Sequence, residues 1–482
     1  MMASGLFQIV TALLGIVGST LVVPVITAIA CSEYSVIPSF LIPMVASGIL
    51  YVLVNLVFFR KKKINLSIRS TFVIVASSWF FTSLFGAVPF CISGCIPSFT
   101  NAFFESVSGF TTTGATILSE IEILPRSMNL WRCMTHWLGG MGIVALTVAL
   151  LPLLGVGGFQ LIKAETTGPE KSKITSKITT TAKVLWLIYF VLTVLQTILL
   201  MLCGMDFIDA LCHAFATLGT GGFSTRNASI GSYDSVPVDI ICTVFMFLAG
   251  INFSLFYFAV TGKLAEIREN SELKAYSAVV GVSIASVTLF LIPVYHSFGT
   301  ALRYAAFQVV SIITTTGFAT ADYTLWPSAA QLIIFLLFFT GACSGSTGGG
   351  IKIIRWVVLF KQVNNETKRM LHPHGIFNIR LNNRPGRNDI VFNVAAFITV
   401  YLALVFATTL AGCAANLDVF TSFSASLSMV GNIGPAFGKL GPSFNYSFLP
   451  AALKWWYSFA MLAGRLELYT MLFFFFPSYW KK

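Results

Sequence analysis

The run Ser311-Ile-Ile-Thr-Thr-Thr-Gly317-Phe-Ala-Thr320 is a short polar stretch between two long apolar segments, and three other places in the chain repeat it. Gly109-Phe-Thr-Thr-Thr-Gly114-Ala-Thr116 is one, and Gly219-Thr-Gly-Gly222-Phe-Ser-Thr225 is the second. Gly431-Asn-Ile-Gly434-Pro-Ala436 departs most, with Asn432, Ile433 and Pro435 where the others are rich in Thr. With Gly114, Gly222, Gly317 and Gly434 in register, Thr111, Gly219, Thr314 and Gly431 stand three residues earlier, and Ser108, Ser311 and Ser428 stand six earlier in three copies. A repeat of this kind fixes the plan of the whole chain, because each copy marks one structural unit.

Of the 482 residues, 56% are hydrophobic and 10% charged. Soluble domains carry about 25% charged residues, and many runs here exceed the roughly 18 apolar residues that read as a bilayer span. The expected fold class is an all-α polytopic membrane protein. The net charge of +12 is clustered in alternate loops, which fits membrane topology rather than nucleic-acid binding. The nine cysteines are scattered, mostly within apolar runs, and match no zinc spacing. Cys91 and Cys95 fall together in an expected outer loop, where pairing stays open.

Residues 5–30 and 36–59 read as two spans joined by a short loop. The first has no basic n-region or small-residue cleavage site, so it reads as a retained span. Arg60, Lys61, Lys62, Lys63 and Arg69 then place the next loop in the cytoplasm. From there a unit of apolar span, short amphipathic stretch, glycine run and second apolar span repeats four times. The spans are expected near 70–91 and 130–154, 183–205 and 236–260, 276–296 and 327–360, and 389–412 and 448–475. The short stretches lie at 99–107, 207–217, 300–313 and 417–430. This divides the chain into a two-helix extension at 1–67 and repeats at 68–180, 181–270, 271–387 and 388–482.

The cations agree with one orientation for all four units. Lys163, Lys171, Lys173 and Lys177, then Lys263, Arg268 and Lys274, then Lys361, Lys368, Arg369, Arg380, Arg384 and Arg387, and finally Lys481 and Lys482 fall on the cytoplasmic side. Both termini are expected there. Loops beside the glycine runs are sparse and mixed (Glu120, Glu122, Arg126, Arg226, Asp234, Asp239, Asp322), so each short stretch enters and leaves from outside.

Ten residues cannot cross a bilayer as a helix, and non-helical backbone at membrane depth survives only where it is buried in protein or lines a water-filled path. Four such loops in one orientation can surround one axis. A ring of backbone carbonyls then replaces the hydration shell of a monovalent cation. Glycine suits this because it turns its carbonyl at positive φ without a Cβ clash. The negative end of each short helix favours the cation as well. The alternative is four tight turns between hairpin spans, which does not account for the shared register. The candidate filter is Thr111, Thr112, Thr113 and Gly114; Gly219, Thr220, Gly221 and Gly222; Thr314, Thr315, Thr316 and Gly317; and Gly431, Asn432, Ile433 and Gly434. The expected ion ligands are the carbonyls of Thr112, Thr113, Thr220, Gly221, Thr315, Thr316, Asn432 and Ile433.

These four runs, each between opposite-going spans over residues 68–482, resemble the TrkH/KtrB/HKT superfamily of cation transporters. The extra spans at 5–59 are similar to its TrkH branch. The resemblance implies four span–pore-loop–span units folded into a pseudo-fourfold, K⁺-channel-like pore. Glycine at all four filter positions implies K⁺ selectivity, with Rb⁺ as a permeant analogue and no cofactor bound by the chain. It further implies the potassium-uptake subunit of a bacterial inner-membrane Trk system, assembled as a homodimer with a cytosolic nucleotide-binding regulatory subunit of the TrkA type. The basic loop 361–388 offers such a partner a docking surface.

The second span of the third unit is interrupted by Gly341-Ala-Cys-Ser-Gly-Ser-Thr-Gly-Gly-Gly350-Ile-Lys352. At about 1 kcal/mol lost per Gly relative to Ala, it does not sustain a helix. Gly345, Ser346, Thr347, Gly348, Gly349, Gly350 and Lys352 are therefore candidates for a gating loop below the filter, the alternative being a permanent kink. The run resembles a phosphate loop, but Ile351 stands where that motif needs Lys and no strand precedes it. Arg465 lies in the last span, where a charge costs at least about 2.5 kcal/mol and should face the bundle interior. Its candidate role is an electrostatic barrier in the pore, the alternative a salt bridge with Glu467 or another carboxylate. Gly139-Gly-Met-Gly142 and Ala249-Gly-Ile-Asn252 read as close-packing sites on the other second spans. No catalytic constellation stands out, and the five histidines are dispersed, so an enzyme is not expected. A proton- or sodium-coupled symporter remains the competing reading, with Glu105 and Asp209 as relay candidates.

Overall fold

The structure, a computed structural model, describes residues 2–58, 68–142, 178–375, 377–382, 384–385 and 390–472. Among them six helices are long and apolar enough to cross a membrane: Gly5–Ala30, Tyr34–Phe58, Ser70–Ile92, Ala182–Leu202, Ser271–Tyr295 and Ile390–Ala414. The last four are the first helices of the four units. They turn bulky apolar side chains outward, with Phe392 78% and Leu410 72% exposed. Such faces suit hydrocarbon rather than water.

A short helix follows each first helix: Phe99–Phe110, Phe207–Leu218, Phe298–Ile313 and Val419–Gly431. At about 1.5 Å per residue none crosses a hydrocarbon core of about 30 Å. Three begin at a side-chain cap: Asp206 accepts from the Ile208 N–H, Ser297 from Thr300 and Asp418 from Thr421. Their last six residues are buried throughout, which places the four glycine runs in the protein interior.

The second helices differ from the expectation of long spans. Arg126–Gly140 ends at its glycines; Val236–Ala249 and Phe253–Val260 meet at a 95° bend. Ser328–Leu337 stops well before Ile353–Leu371 begins, and Ala451–Arg465 gives way to a turn in which Glu467 and Leu468 take positive φ. The sequence marked only the third as broken. At the first two, the small residues end or bend the helix as well as packing it. Gly139 lies against the Phe110 carbonyl, Gly140 against Gly219 and Gly464 against the Val430 carbonyl, where a Cβ would overlap the end of a short helix.

The N-terminal pair is fastened to the first unit by Glu33. Its carboxylate accepts from the Arg126 N–H at 2.7 Å, the Ser127 N–H at 3.0 Å and the Ser127 hydroxyl at 2.5 Å. A small antiparallel hairpin, β1 (Arg380–Leu381) with β2 (Arg384–Pro385), is the sole sheet among the described residues. Cys91 and Cys95 are both free, so the open question of their pairing is answered against a disulfide. The expected second-span residues 143–154 and the cations Arg60–Lys63, Lys163–Lys177, Arg387, Lys481 and Lys482 lie outside the described residues.

Candidate functional site

The four glycine runs repeat in backbone as they do in sequence. Thr112, Thr220, Thr315 and Asn432 all take left-handed φ, at 55°, 53°, 58° and 56°. Two residues later Gly114, Gly222, Gly317 and Gly434 have φ of 78°, 79°, 80° and 99°. Left-handed backbone at a β-branched residue is a genuine outlier, and here it occurs three times at one register. Between the two lies a residue whose N–H reaches back five positions: Thr113 to the Ser108 carbonyl at 2.9 Å, Gly221 to Ala216 at 2.8 Å, Thr316 to Ser311 at 2.9 Å and Ile433 to Ser428 at 2.9 Å. This is the structural content of the serine six residues ahead of the glycine. Its carbonyl does the work, so Ala216 serves equally in the second copy.

The runs close into a ring. A Cβ built on Gly114 would overlap the Gly221 carbonyl oxygen; on Gly222, that of Thr316; on Gly317, that of Ile433; and on Gly434, that of Thr113. Each unit's glycine thus abuts the carbonyl of the next, and the fourth returns to the first. Among the described residues, none of the carbonyls of Thr112, Thr113, Thr220, Gly221, Thr315, Thr316, Asn432 and Ile433 accepts a hydrogen bond. All eight residues are buried. Buried carbonyls are nearly always paired, so eight without hydrogen bonds in a closed ring call for another electrophile.

Behind the ring the units differ. The Thr111 and Thr113 hydroxyls pair at 2.8 Å, as do those of Thr314 and Thr316. The second copy has Gly219 and Gly221 at those positions, and the ring of His136 fills the space. His136 donates from Nδ1 to the Gly109 carbonyl at 2.7 Å and accepts at Nε2 from the Phe223 N–H at 3.2 Å. A carbonyl can only accept and an N–H only donate, so one neutral tautomer satisfies both. In the fourth copy the Asn432 amide bridges the Thr113 hydroxyl at 3.0 Å and the Met461 carbonyl at 2.9 Å. Sequence reasoning missed His136; the two glycines opposite it were the available signal.

Glu105 and Asp209 hold the frame. Glu105 pairs with Arg132 at 2.6 Å, both side chains essentially inaccessible, and also accepts from Thr116 and the Ile117 N–H. Asp209 meets Arg226 at 3.3 Å and the Tyr233 hydroxyl at 3.0 Å.

Directly below the ring lies the irregular segment 338–352. The Gly349 N–H donates to the Thr315 hydroxyl at 2.7 Å, and the Thr347 hydroxyl donates to the carbonyls of Leu218 at 2.9 Å and Ala249 at 3.3 Å. Buried Lys352 folds its ammonium onto the Gly348 carbonyl. Gly345 packs against Asn252, and Gly350 and Gly345 take positive φ. From the fourth unit Arg465 reaches the Thr347 carbonyl at 2.7 Å, the Gly139 carbonyl at 2.6 Å and the Gly140 carbonyl at 3.1 Å. A side chain that touches the first and third units from the fourth crosses the centre beneath the ring. The carboxylate of Glu467 goes instead to Arg355. The Ser346 hydroxyl donates within the segment, to the Cys343 carbonyl at 2.6 Å.

Residues 44–278 and 275–482 match the family TrkH, described as a cation transport protein. The chain is 40% identical to the Trk system potassium uptake protein TrkH of Halomonas elongata over 443 residues, 91% of this chain and 90% of that one. It is 41% identical to the protein of the same name from Escherichia coli over 428 residues, 88% of each. Its fold matches the crystal structure of the potassium transporter TrkH from Vibrio parahaemolyticus with a TM-score of 0.87, 32% identity and complete coverage of both chains.

Proposed function

The chain belongs to the TrkH family of cation transport proteins, and from that premise we propose that it is the ion-conducting subunit of a potassium uptake system. The observation that carries this reading is the closed ring of glycines and carbonyls with eight buried oxygens that accept no hydrogen bond. Oxygen dipoles at fixed spacing replace the water shell of a K⁺ ion, and a smaller Na⁺ is held less well by the same ring. The negative ends of four short helices point at the same place.

Conduction is gated by 338–352. Thr347, Gly349 and Arg465 tie this segment to all four units, and the guanidinium adds a positive charge on the ion's route. Passive flow through such a gate is favoured over coupled symport, because Glu105 is committed to Arg132 in a fully buried pair. The reading extends to a bacterial inner-membrane location with both termini cytoplasmic, a homodimer, and a cytosolic nucleotide-binding partner of the TrkA type. Support for a partner surface comes from the helix Ile353–Leu371, where Lys361, Lys368 and Arg369 alternate with Phe360 at 70% and Met370 at 83% exposure.

The test is cation flux into liposomes holding the purified protein, comparing K⁺, Rb⁺ and Na⁺, beside Gly317→Ser. K⁺ and Rb⁺ should pass ahead of Na⁺ without a proton gradient and lose their lead in the variant. Flux that requires a proton or sodium gradient would return the symporter.

A further inference from the structure

Glu272 is buried and takes no part in the chemistry described so far. It stands in the first turn of Ser271–Tyr295, whose start is capped by Asn270. A carboxylate at a helix start is ordinarily solvated and favourable to the helix dipole. Here it is turned inward. Its Oε1 accepts from the Ser344 N–H at 2.7 Å and from the Ile354 N–H at 3.2 Å. Ser344 and Ile354 flank the glycine-rich part of the segment below the ring, so a single oxygen holds both sides of the candidate gate.

The neighbouring residue faces the other way. The Ser271 N–H donates to the Asn382 side chain at 2.8 Å, and the Asn382 N–H donates back to the Ser271 hydroxyl at 3.3 Å. Asn382 is in the turn of the β1–β2 hairpin. That hairpin is itself seated by Ile379 and Leu381, which form one apolar cluster with Ile354, Val358, Ile390 and Val394. Thus two adjacent residues clamp different structures: Glu272 the two sides of the intramembrane segment, Ser271 the hairpin outside it. Ile354 belongs to both contacts, through its N–H and through its side chain.

We propose that Glu272 is a positioning residue that latches the intramembrane segment shut, and that the pairing of β1 with β2 is the lever that acts on the latch through Asn382 and Ser271. The proposal rests on the reading of 338–352 as a gate. Displacing the hairpin moves the start of the helix and Ile354 together, which draws the oxygen away from the Ser344 N–H. None of the latch bonds goes to a carbonyl of the ring, so opening and ion preference are separable.

The experiment uses the full chain in planar bilayers, recording single-channel open probability, unitary current and the K⁺/Na⁺ permeability ratio. Glu272→Ala should raise open probability about tenfold, the scale set by hydrogen bonds to a charged group, with unitary current and permeability ratio unchanged. Glu272→Gln keeps an oxygen acceptor and should stay near the parent. Asn382→Ala should raise open probability less, and in the same direction. A residue that merely stabilises the fold would lower the yield of folded protein without moving open probability. If deletion of 345–350 raises flux while Glu272→Ala and Asn382→Ala leave open probability unchanged, the latch is wrong and the gate stands. Flux unchanged by the deletion as well would remove the gate and the latch with it. Should Glu272→Ala fail to fold, an unchanged open probability in Asn382→Ala overturns the proposal.

Discussion

The ring and the segment beneath it are both irregular and largely buried backbone, yet they are held differently. In the ring, each left-handed residue is followed by one whose N–H reaches back five positions to the end of its own unit's short helix. The contact is written four times in almost the same form. In the segment, local bonds such as Ser346 to Cys343 and Lys352 to Gly348 stand beside ties to distant residues: Thr347 to Leu218 and Ala249, Gly349 to Thr315, and Arg465 to Thr347. Locally over-determined backbone resists change, whereas backbone held by a few long-range hydrogen bonds can let go when one partner moves. The proposed filter and the proposed gate differ in this, although both are largely buried backbone.

Four substitutions press on that contrast, and the first attacks the frame common to both. Arg132→Met leaves Glu105 charged and buried without its partner, a loss of about 3–5 kcal/mol, and thermal unfolding in detergent should show a large drop in midpoint. Gly222→Ala acts on the ring alone. Left-handed backbone costs an L-residue about 1–2 kcal/mol, and the methyl group adds an overlap with the Thr316 carbonyl. The K⁺/Na⁺ ratio should fall about tenfold or more, while open probability holds. Arg465→Ala reverses the pattern by releasing the Thr347, Gly139 and Gly140 carbonyls. Flux should rise about tenfold, with the K⁺/Na⁺ ratio preserved. Thr316→Val removes one hydroxyl pair behind the ring, worth about 1 kcal/mol, and a several-fold loss of selectivity is expected. A variant that moved ion ratio and open probability together would break the separation.

The same contrast explains what could be read from the sequence. Gly114, Gly222, Gly317 and Gly434 were legible because a local conformation repeated four times leaves a repeated local pattern. The short helices were legible as amphipathic stretches between apolar spans, whereas their caps Asp206, Ser297 and Asp418 came only with the structure. The bend at 250–252 and the stop at Arg465 were not, since an apolar run keeps its composition whether or not the helix continues. Glu272 left no pattern either, because its partner stands 72 residues away in the chain, and His136, 27 residues from its own, left only the two glycines opposite it. Arg355 and Glu467, 112 residues apart, meet only after four units have closed around one axis.

Glu33 gives the N-terminal pair of helices a meaning beyond extra width. The helix Arg126–Gly140 begins after Pro125, whose ring offers its first N–H groups no acceptor. The acceptor is supplied from another part of the chain, at residue 33. A minimal pore made by trimming the chain to its four repeats would therefore start with a missing bracket, and its first inner helix would fray from the water-facing end. Restoring an acid at position 125 is the repair such a shortened protein would need.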